Sequence, residues 1–354
     1  MATWEANVRK VIPYTPGEQP NRADIIKLNT NENPYPPAPG VARVLQEMDA
    51  ELLRKYPDPT AGALVSALSE RYRIPEEQIF VGVGSDDVLA MSFLTFFNGE
   101  EPILFPDITY SFYDVWAGLF HIPYECQPLD ANFEIVTEDY LKPCGGIVIP
   151  NPNAPTGVEK ELAELERIVS ANSDVIVIID EAYIDFGGES AIGLISKYDN
   201  LLVVQTFSKS RSLAGMRIGY AFGSKKLIKY LNDAKYSFNS YTMNSVTIAM
   251  GVAAVRDDAY FKETVGKVIA TREWTKRELH RLGFVFPDPK SNFIFASHPK
   301  YPAKELFEAL KQRGIYVRYF AKQRIDNYLR ISIGTDEEMK ALIAFLDEYV
   351  GENV

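Results

Sequence analysis

The first group of side chains that could do chemistry surrounds one lysine. Two hydroxyl residues precede this lysine, and an arginine follows it. Thr206 and Ser208 stand three positions and one position before Lys209, and Arg217 follows eight residues after it. A lone lysine is usually a solvated surface charge, but hydroxyls beside an arginine suit the binding of an anion such as phosphate. A lysine amine can also condense with an aldehyde to give a Schiff base. The segment 205–217 therefore predicts an anion site with a nucleophile beside it.

A carboxylate and a phenol follow a second apolar run. Asp180 comes directly after the run 175–179, and Tyr183 follows three positions later. A carboxylate at the mouth of a buried sheet is costly unless a cation meets it. A helix cap or an ion pair with a nearby arginine would explain Asp180 as well as a functional site does, so this pattern alone leaves both interpretations open.

A glycine-containing turn between a predicted strand and a predicted helix offers backbone donors. Gly84, Ser85 and Asp86 would lie at the start of that helix, whose free N–H groups can hold a phosphate. The segment 82–87 lacks the third glycine of a dinucleotide fingerprint and the lysine of a P-loop. Taken alone, it also fits a structural turn with a capping residue.

Together, these groups meet the needs of one cofactor, pyridoxal 5'-phosphate. Lys209 would bind its aldehyde, and Asp180 would hold its ring nitrogen protonated so that the ring accepts electrons. Tyr183 could donate a hydrogen bond to the phenolic oxygen of the ring. Tyr110 could stack on the ring, although plain packing explains it as well in a chain with 20 tyrosines. The predicted phosphate contacts are Gly84, Ser85, Asp86, Thr206, Ser208 and Arg217.

The elements that must position these residues predict an α/β fold. Short runs rich in Ile, Val and Leu without alternation are typical of strands covered on both faces of a mostly parallel sheet. An amphipathic stretch at 159–171 lies between two of them and makes a βαβ unit. The capping pair Thr335 and Glu338 predicts the start of the last helix. The runs expected as strands of this sheet are 79–83, 102–105, 146–149, 175–179 and 201–205.

The chain divides into three predicted parts. Residues 1–38 are rich in proline, which regular helices do not tolerate, and are expected to form an arm. Residues 39–245 would form the large α/β domain that binds the cofactor. The pattern of predicted helices and strands changes after residue 245, and residues 246–354 are expected to form a smaller α+β domain.

Composition argues against several classes of protein. The 354 residues carry 37 Lys and Arg against 48 Asp and Glu, a net charge of −11, which disfavours nucleic-acid binding and a polybasic membrane anchor. No segment approaches the roughly 18 apolar residues needed to span a bilayer. Two cysteines and three scattered histidines predict no metal site. With no signal-peptide pattern at the start, we expect a cytoplasmic protein.

The combined motifs resemble the fold-type I aminotransferases of classes I and II. This resemblance implies a homodimer with composite active sites, which moves an amino group from a small-molecule donor to a 2-oxo acid. It covers nearly the whole chain and rests on the segments 28–34, 55–60, 82–87, 151–157, 180–183, 208–217 and 328–335.

The resemblance also implies roles for residues that the patterns alone do not assign. Tyr56 would reach the cofactor phosphate of the neighbouring subunit, and Tyr14 on the arm would close over the neighbour's substrate. Arg330 fits the family's carboxylate-binding arginine, whose planar guanidinium suits a carboxylate or a phosphate. Asn33 is a further candidate for substrate binding, and so is Arg318, for which a solvated strand position is an equal alternative.

One position departs from the family pattern. The family usually has an asparagine immediately before Pro-Thr-Gly, in contact with the phenolic oxygen of the cofactor ring. Here Ala154 occupies that position, and Asn153 stands one residue earlier. We expect Asn153 to take the role after a small loop shift; otherwise Tyr183 acts alone.

The early motifs at 28–34 and 55–60 narrow the resemblance to the branch that acts on L-histidinol phosphate in histidine biosynthesis, with 2-oxoglutarate as acceptor. Two alternatives on the same scaffold stay open, an aromatic amino acid aminotransferase and a threonine-phosphate decarboxylase. A third, a cofactor-binding module of a regulator, is disfavoured by the acidic charge and by the lack of a DNA-binding domain.

Overall fold

The structure is a computed structural model that describes residues 3–14, 17–20 and 24–352. Its helices are α1 (Pro39–Glu47), α2 (Gly62–Tyr72), α3 (Ser85–Phe96), α4 (Tyr113–Phe120), α5 (Leu162–Ala171), α6 (Lys225–Phe238), α7 (Ser245–Arg256), α8 (Asp258–Arg281), α9 (Ala303–Gln312) and α10 (Asp336–Glu352). Its strands are β1 (Ile26–Lys27), β2 (Ile79–Gly82), β3 (Ile103–Pro106), β4 (Tyr124–Gln127), β5 (Gly146–Pro150), β6 (Val177–Asp180), β7 (Leu201–Thr206), β8 (Gly219–Gly223), β9 (Phe293–Ala296), β10 (Ile315–Tyr316), β11 (Arg318–Tyr319) and β12 (Leu329–Ser332).

A seven-stranded sheet forms the centre of the larger part of the chain. Its strand order is β2-β8-β7-β6-β5-β3-β4. Strand β8 runs antiparallel to both of its neighbours, and the other pairs are parallel. Every predicted strand of this sheet is present within two residues of its expected ends, so the predicted α/β class with a mostly parallel sheet is confirmed.

Both faces of the central strands are buried, as their apolar runs predict. Neighbouring residues of β6 point to opposite faces, so Ile178 packs in one hydrophobic cluster while Val177 and Ile179 pack in another. Because β5, β6 and β7 are parallel, the polar residues that follow them lie together at one edge of the sheet. Open α/β sheets bind their ligands at such an edge.

A smaller antiparallel sheet, β11-β12-β9, lies in the C-terminal part with its own hydrophobic cluster. The predicted capping pair is confirmed, since Thr335 N donates to Glu338 Oε2 at 2.7 Å and Glu338 N donates to Thr335 Oγ1 at 3.2 Å. Helix α7 starts at the predicted domain boundary, yet its buried residues join the larger cluster beside α1 and α2. The division into domains stays a prediction.

The N-terminal arm contributes little regular structure among its described residues. It holds a 3₁₀ turn at Thr3–Asn7 and the short strand β1, which pairs in parallel with β10. This pairing ties residues 26–27 to the C-terminal part of the chain. Within the described residues, no helix is long and apolar enough to cross a membrane, and no group of acidic, cysteine and histidine side chains could hold a metal ion.

Candidate active site

A cavity lies at the carboxyl ends of β5, β6 and β7. It has a volume of about 150 Å³ and is partly open to solvent. Four segments far apart in the sequence meet there, as predicted. The sequence-predicted residues that line it are Ser85, Asp86, Tyr110, Asp180, Tyr183, Thr206, Ser208, Lys209 and Arg217.

Asp180 is the buried acid of this cavity. Its Oδ2 accepts a hydrogen bond of 2.7 Å from the hydroxyl of Tyr113, and its Oδ1 accepts one of 3.2 Å from Ala182 N. Burial raises the pKa of Asp180 to about 6, against the opposing effect of these two donors. A cation that enters the cavity, such as a protonated ring nitrogen, would favour the charged carboxylate.

Tyr113 is a site residue that the sequence analysis missed. It is the first residue of α4, it is fully buried, and no motif distinguishes it from the other tyrosines. Burial beside the Asp180 carboxylate raises the pKa of Tyr113 well above its usual value, so the phenol stays a proton donor. No signal in the sequence links Tyr113 to Asp180, which is 67 positions away.

An anion cradle occupies one end of the cavity. Thr206 Oγ1 donates to Ser208 Oγ at 3.0 Å and accepts from Ser208 N at 3.1 Å, and Arg217 Nη1 lies 3.4 Å from Ser208 Oγ. Helix α3 starts beside them with no side-chain cap, which leaves its first N–H groups free. A Cβ on Gly84, which has φ +87°, would overlap the Arg217 guanidinium. The absence of a side chain there keeps the cradle open.

A carboxylate holds the arginine of the cradle in place. Arg217 Nη2 donates to Asp86 Oδ2 at 2.8 Å, and the Tyr110 hydroxyl donates to Asp86 Oδ1 at 2.7 Å. Burial beside this carboxylate raises the pKa of Tyr110, so its hydroxyl stays neutral and keeps donating. These contacts orient Arg217 toward Ser208. The predicted stacking of Tyr110 on a cofactor ring stays a prediction.

Lys209 projects its amine between the cradle and the N-terminal segment. Its Nζ lies 3.4 Å from the carbonyl oxygen of Thr30 and 5.6 Å from the centre of the Tyr183 ring. Asn33 Nδ2 donates to the carbonyl oxygens of Lys209 and Ser210, at 3.0 and 3.3 Å. Asn33 therefore holds the backbone of the nucleophile, and its predicted contact with the substrate stays a prediction.

A second cavity opens from the first and carries two arginines. Arg318 and Arg330 are direct partners across β11 and β12, so they share one face of the small sheet. Arg330 Nη2 donates to the carbonyl oxygen of Asn29 at 3.0 Å, while its Nε has no hydrogen-bond partner among the described residues. Burial and the neighbouring Arg318 lower the pKa of Arg330. Two adjacent cations with an unused donor favour a multiply charged anion.

The two tyrosines predicted to act across subunits occupy different surroundings. Tyr14 lines the second cavity of its own chain and stacks on Phe112, with ring centres 4.3 Å apart. Tyr56 is 83% exposed, packs against Tyr241 and lies outside both cavities. Contributions of either residue to a neighbouring subunit stay predictions.

Asn153, expected to contact the cofactor ring, has its amide engaged within the protein, and the expected contact stays a prediction. Its Nδ2 donates to the carbonyl oxygen of Ile108 at 2.9 Å and to Thr156 Oγ1 at 3.1 Å, and the side chain lies outside the cavity lining. Ala154 lines the cavity instead and offers no polar group. Asn153 is thus used to hold the loop 151–157, and Tyr183 is left as the phenolic donor on that side.

The residues present fit pyridoxal 5'-phosphate. The cradle supplies backbone N–H groups, hydroxyls and a guanidinium for a phosphate, and its glycine leaves the space that a Cβ would fill. Lys209 supplies the amine for the aldehyde, and the buried Asp180 supplies the carboxylate for a ring nitrogen. The donor set therefore matches the three polar ends of this cofactor.

Comparisons with known proteins agree with this fit. Residues 23–346 match the model of the family described as aminotransferase class I and II. The chain is 52% identical over 348 residues to a histidinol-phosphate aminotransferase of Lactococcus lactis subsp. cremoris, covering 98% of both proteins. It is 51% identical over 350 residues to one of Clostridium beijerinckii, covering 99% of this chain and 98% of that protein.

Solved structures share the fold. The crystal structure of histidinol-phosphate aminotransferase from Sinorhizobium meliloti in complex with pyridoxal-5'-phosphate superposes with a TM-score of 0.84 at 23% identity, covering 93% of this chain and 92% of that one. The structure of L-threonine-O-3-phosphate decarboxylase from Porphyromonas gingivalis gives a TM-score of 0.79 at 21% identity, over 92% and 100% of the two chains. The fold alone is thus shared by transaminases and a decarboxylase. The family match over most of the chain, together with the lysine, carboxylate and anion cradle of the cavity, shows that this chain belongs to the class I and II aminotransferases.

Proposed function

We propose that this enzyme transfers the amino group of L-histidinol phosphate to 2-oxoglutarate, with pyridoxal 5'-phosphate as cofactor, in histidine biosynthesis. The observation that carries the proposal is one cavity in which Lys209, Asp180 and Arg217 face the same space. The names of relatives that are about 50% identical over the whole chain support the choice of donor.

Each of the cavity residues has a distinct task. The cofactor, when bound, supplies an electron sink for the carbon that bears the amino group. Asp180 would hold a proton at the ring nitrogen, Tyr183 would donate to the phenolic oxygen, and the Arg217 cradle would hold the phosphate. Lys209, which lines the same cavity, would take and return the proton of the substrate carbon, which is general acid–base catalysis.

The paired arginines favour a phosphorylated donor. A phosphate monoester carries close to two negative charges at pH 7 and can accept from both Arg318 and Arg330, whereas an amino-acid carboxylate carries one. The arginines lie on the face of the small sheet that lines the second cavity, next to Lys209. This pairing favours histidinol phosphate over an aromatic amino acid as the donor.

The proposal includes a homodimer in the cytoplasm, with no nucleic-acid or membrane partner. The exposed rings of Tyr56 and Tyr241 support a partner surface near residue 56, because exposed aromatic pairs are enriched at interfaces. A biosynthetic role with a water-soluble acceptor such as 2-oxoglutarate fits the cytoplasm.

A donor panel tests the proposal. With 2-oxoglutarate as acceptor, we expect kcat/KM for L-histidinol phosphate to exceed that for phenylalanine or tyrosine by roughly 100-fold, the effect of one or two lost charge-assisted hydrogen bonds. A preference for phenylalanine would instead identify an aromatic aminotransferase. Release of carbon dioxide from threonine phosphate without any 2-oxo acid would identify a decarboxylase, and either result would overturn the proposed donor.

A further inference from the structure

The N-terminal segment 29–33 contacts the groups that the proposed function uses. The carbonyl oxygen of Asn29 accepts from Arg330, and that of Thr30 lies 3.4 Å from Lys209 Nζ. Between these contacts and those of Asn33 lies Asn31, which the sequence analysis did not single out. Asn31 is 1% exposed, and its Nδ2 donates to the hydroxyl of Tyr183 at 3.0 Å.

Asn31 is held on every side by the C-terminal part of the chain. Its backbone N–H donates to Ser332 Oγ at 2.9 Å, and its carbonyl oxygen accepts from Asn292 Nδ2 at 3.0 Å. Its backbone has φ +55°, a left-handed conformation that asparagine, aspartate and glycine adopt more readily than other residues. The residue is therefore fixed before any ligand arrives.

The same contacts fix the direction of the Asn31 amide. Ser332 Oγ already accepts the Asn31 N–H, and its own proton goes to Asn31 Oδ1 at 2.9 Å. Turning the amide round would face Nδ2 toward Ser332 and leave the serine proton without an acceptor among the described residues. The Nδ2 end therefore points at Tyr183, as a donor.

A hydroxyl has one proton to give, so the donor on one side decides where that proton goes. Because Asn31 donates to the Tyr183 oxygen, the phenolic proton cannot point at Asn31 and is left for another acceptor. Tyr183 lines both cavities, beside Lys209 and Ala154, and Ala154 offers no competing polar group. The free direction of the Tyr183 O–H is thus toward the cavity.

We propose that Asn31 is a positioning residue that acts through Tyr183: its amide aims the Tyr183 hydroxyl proton at the phenolic oxygen of the bound cofactor. This inference rests on the proposed function, because it needs pyridoxal 5'-phosphate in the first cavity. A donor to that oxygen favours the form of the cofactor that carries more negative charge there, so it sets the pH at which the visible absorption band of the loaded protein changes.

The test is a pH titration of the visible band of the cofactor-loaded protein, without any amino donor. Asn31→Gly removes the amide and keeps the left-handed backbone free of strain. We expect the titration midpoint to move upward by about half to one pH unit. A full hydrogen bond to a charged group is worth about one to two units, and the shift is smaller because Asn31 acts only through Tyr183. Asn132→Gly, the same substitution in an exposed turn away from the cavity, is the control and is expected to leave the midpoint unchanged.

A double-mutant cycle separates positioning from general damage. Tyr183→Phe should move the midpoint further than Asn31→Gly does, and adding Asn31→Gly to Tyr183→Phe should move it no more. Equal shifts in both backgrounds, or no shift in Asn31→Gly, would overturn the inference. Ser332→Ala, which frees the Asn31 amide to turn, gives a second measurement if Asn31→Gly fails to fold, and a small upward shift is expected. A wild-type protein that forms no visible band would overturn the proposed function itself and this inference with it.

Discussion

Tyr113 donates a hydrogen bond of 2.7 Å to Oδ2 of Asp180, and both side chains are buried at the base of the candidate active site. Asp180 would otherwise be protonated over a still wider range of pH, because burial already raises its pKa to about 6. The phenol and the Ala182 N–H work against that effect. Tyr113 therefore helps to keep the acid charged where a ring nitrogen needs it.

Removal of this donor should shift the pH profile of the enzyme. In Tyr113→Phe the pKa of Asp180 rises further, so the acid limb of kcat/KM against pH should move upward by about 1 pH unit. Tyr140→Phe changes another buried tyrosine in the same way and serves as the control. An unchanged acid limb in Tyr113→Phe would show that this contact does not tune Asp180.

Asp180 should also make the cofactor-free protein less stable at neutral pH. Its pKa is about 6 in the folded state against 3.8 as the ordinary value, so the folded state binds this proton more tightly than the unfolded chain. The resulting stabilisation is complete below pH 3.8 and is lost as the pH rises to about 6. Asp180→Asn removes the effect, and its unfolding free energy should fall less between pH 4 and 6.5, by on the order of 2–3 kcal/mol.

Urea unfolding at several pH values measures that difference. Glu181, whose pKa burial raises to about 7, contributes its own pH dependence to both proteins and so cancels in the comparison. The same pH dependence in Asp180→Asn and in the unchanged protein would contradict the assigned burial of this charge.

The paired arginines predict a specific loss in substrate binding. Arg330→Lys keeps the charge but loses the planar fork of donors, so KM for L-histidinol phosphate should rise roughly 10- to 100-fold with a smaller effect on kcat. Steady-state kinetics measure both. Arg313→Lys, at an exposed ion pair with Glu348, is the matched control. A KM that stays within twofold would remove Arg330 from the proposed anion site.

The glycine of the anion cradle predicts a loss of cofactor affinity. A Cβ on Gly84 would overlap the Arg217 guanidinium and strain a backbone with positive φ. Gly84→Ala should weaken cofactor binding by roughly 10-fold or more, about one charge-assisted hydrogen bond, in a fluorescence titration. Gly118→Ala in α4 adds a Cβ with no atom within 4 Å and should bind the cofactor normally. Equal affinities in the two variants would argue against the cradle.

The sequence was sufficient for five of the seven strands of the central sheet and for most of the first cavity. Strands such as 146–149 and 201–205 are continuous apolar runs, and a parallel sheet brings the residues after them to one edge. Strands β4 and β8 were not predicted. Most of β4 is exposed and carries polar residues, and β8 is a five-residue run bounded by Gly219 and Gly223. Neither resembles a buried strand in isolation.

The contacts that set the pKa values and orientations of the site residues could not be predicted from the sequence. Tyr113 meets Asp180 across 67 positions, and Asn31 meets Tyr183 across 152, so no local pattern records either pair. The place of Asn153 in the motif suggested a ligand contact, whereas in the structure its amide donates to the backbone of Ile108. Motifs indicate which residue types converge, and packing decides which of their polar atoms stay free.

The central claim is that the amine of Lys209 binds the aldehyde of pyridoxal 5'-phosphate, and borohydride reduction of the loaded protein followed by peptide mass mapping tests it directly. We expect one cofactor adduct per chain, on Lys209, and none in Lys209→Ala, which should keep its fold by circular dichroism and lose turnover. An adduct on a different lysine, no adduct at all, or full activity in Lys209→Ala would contradict the account.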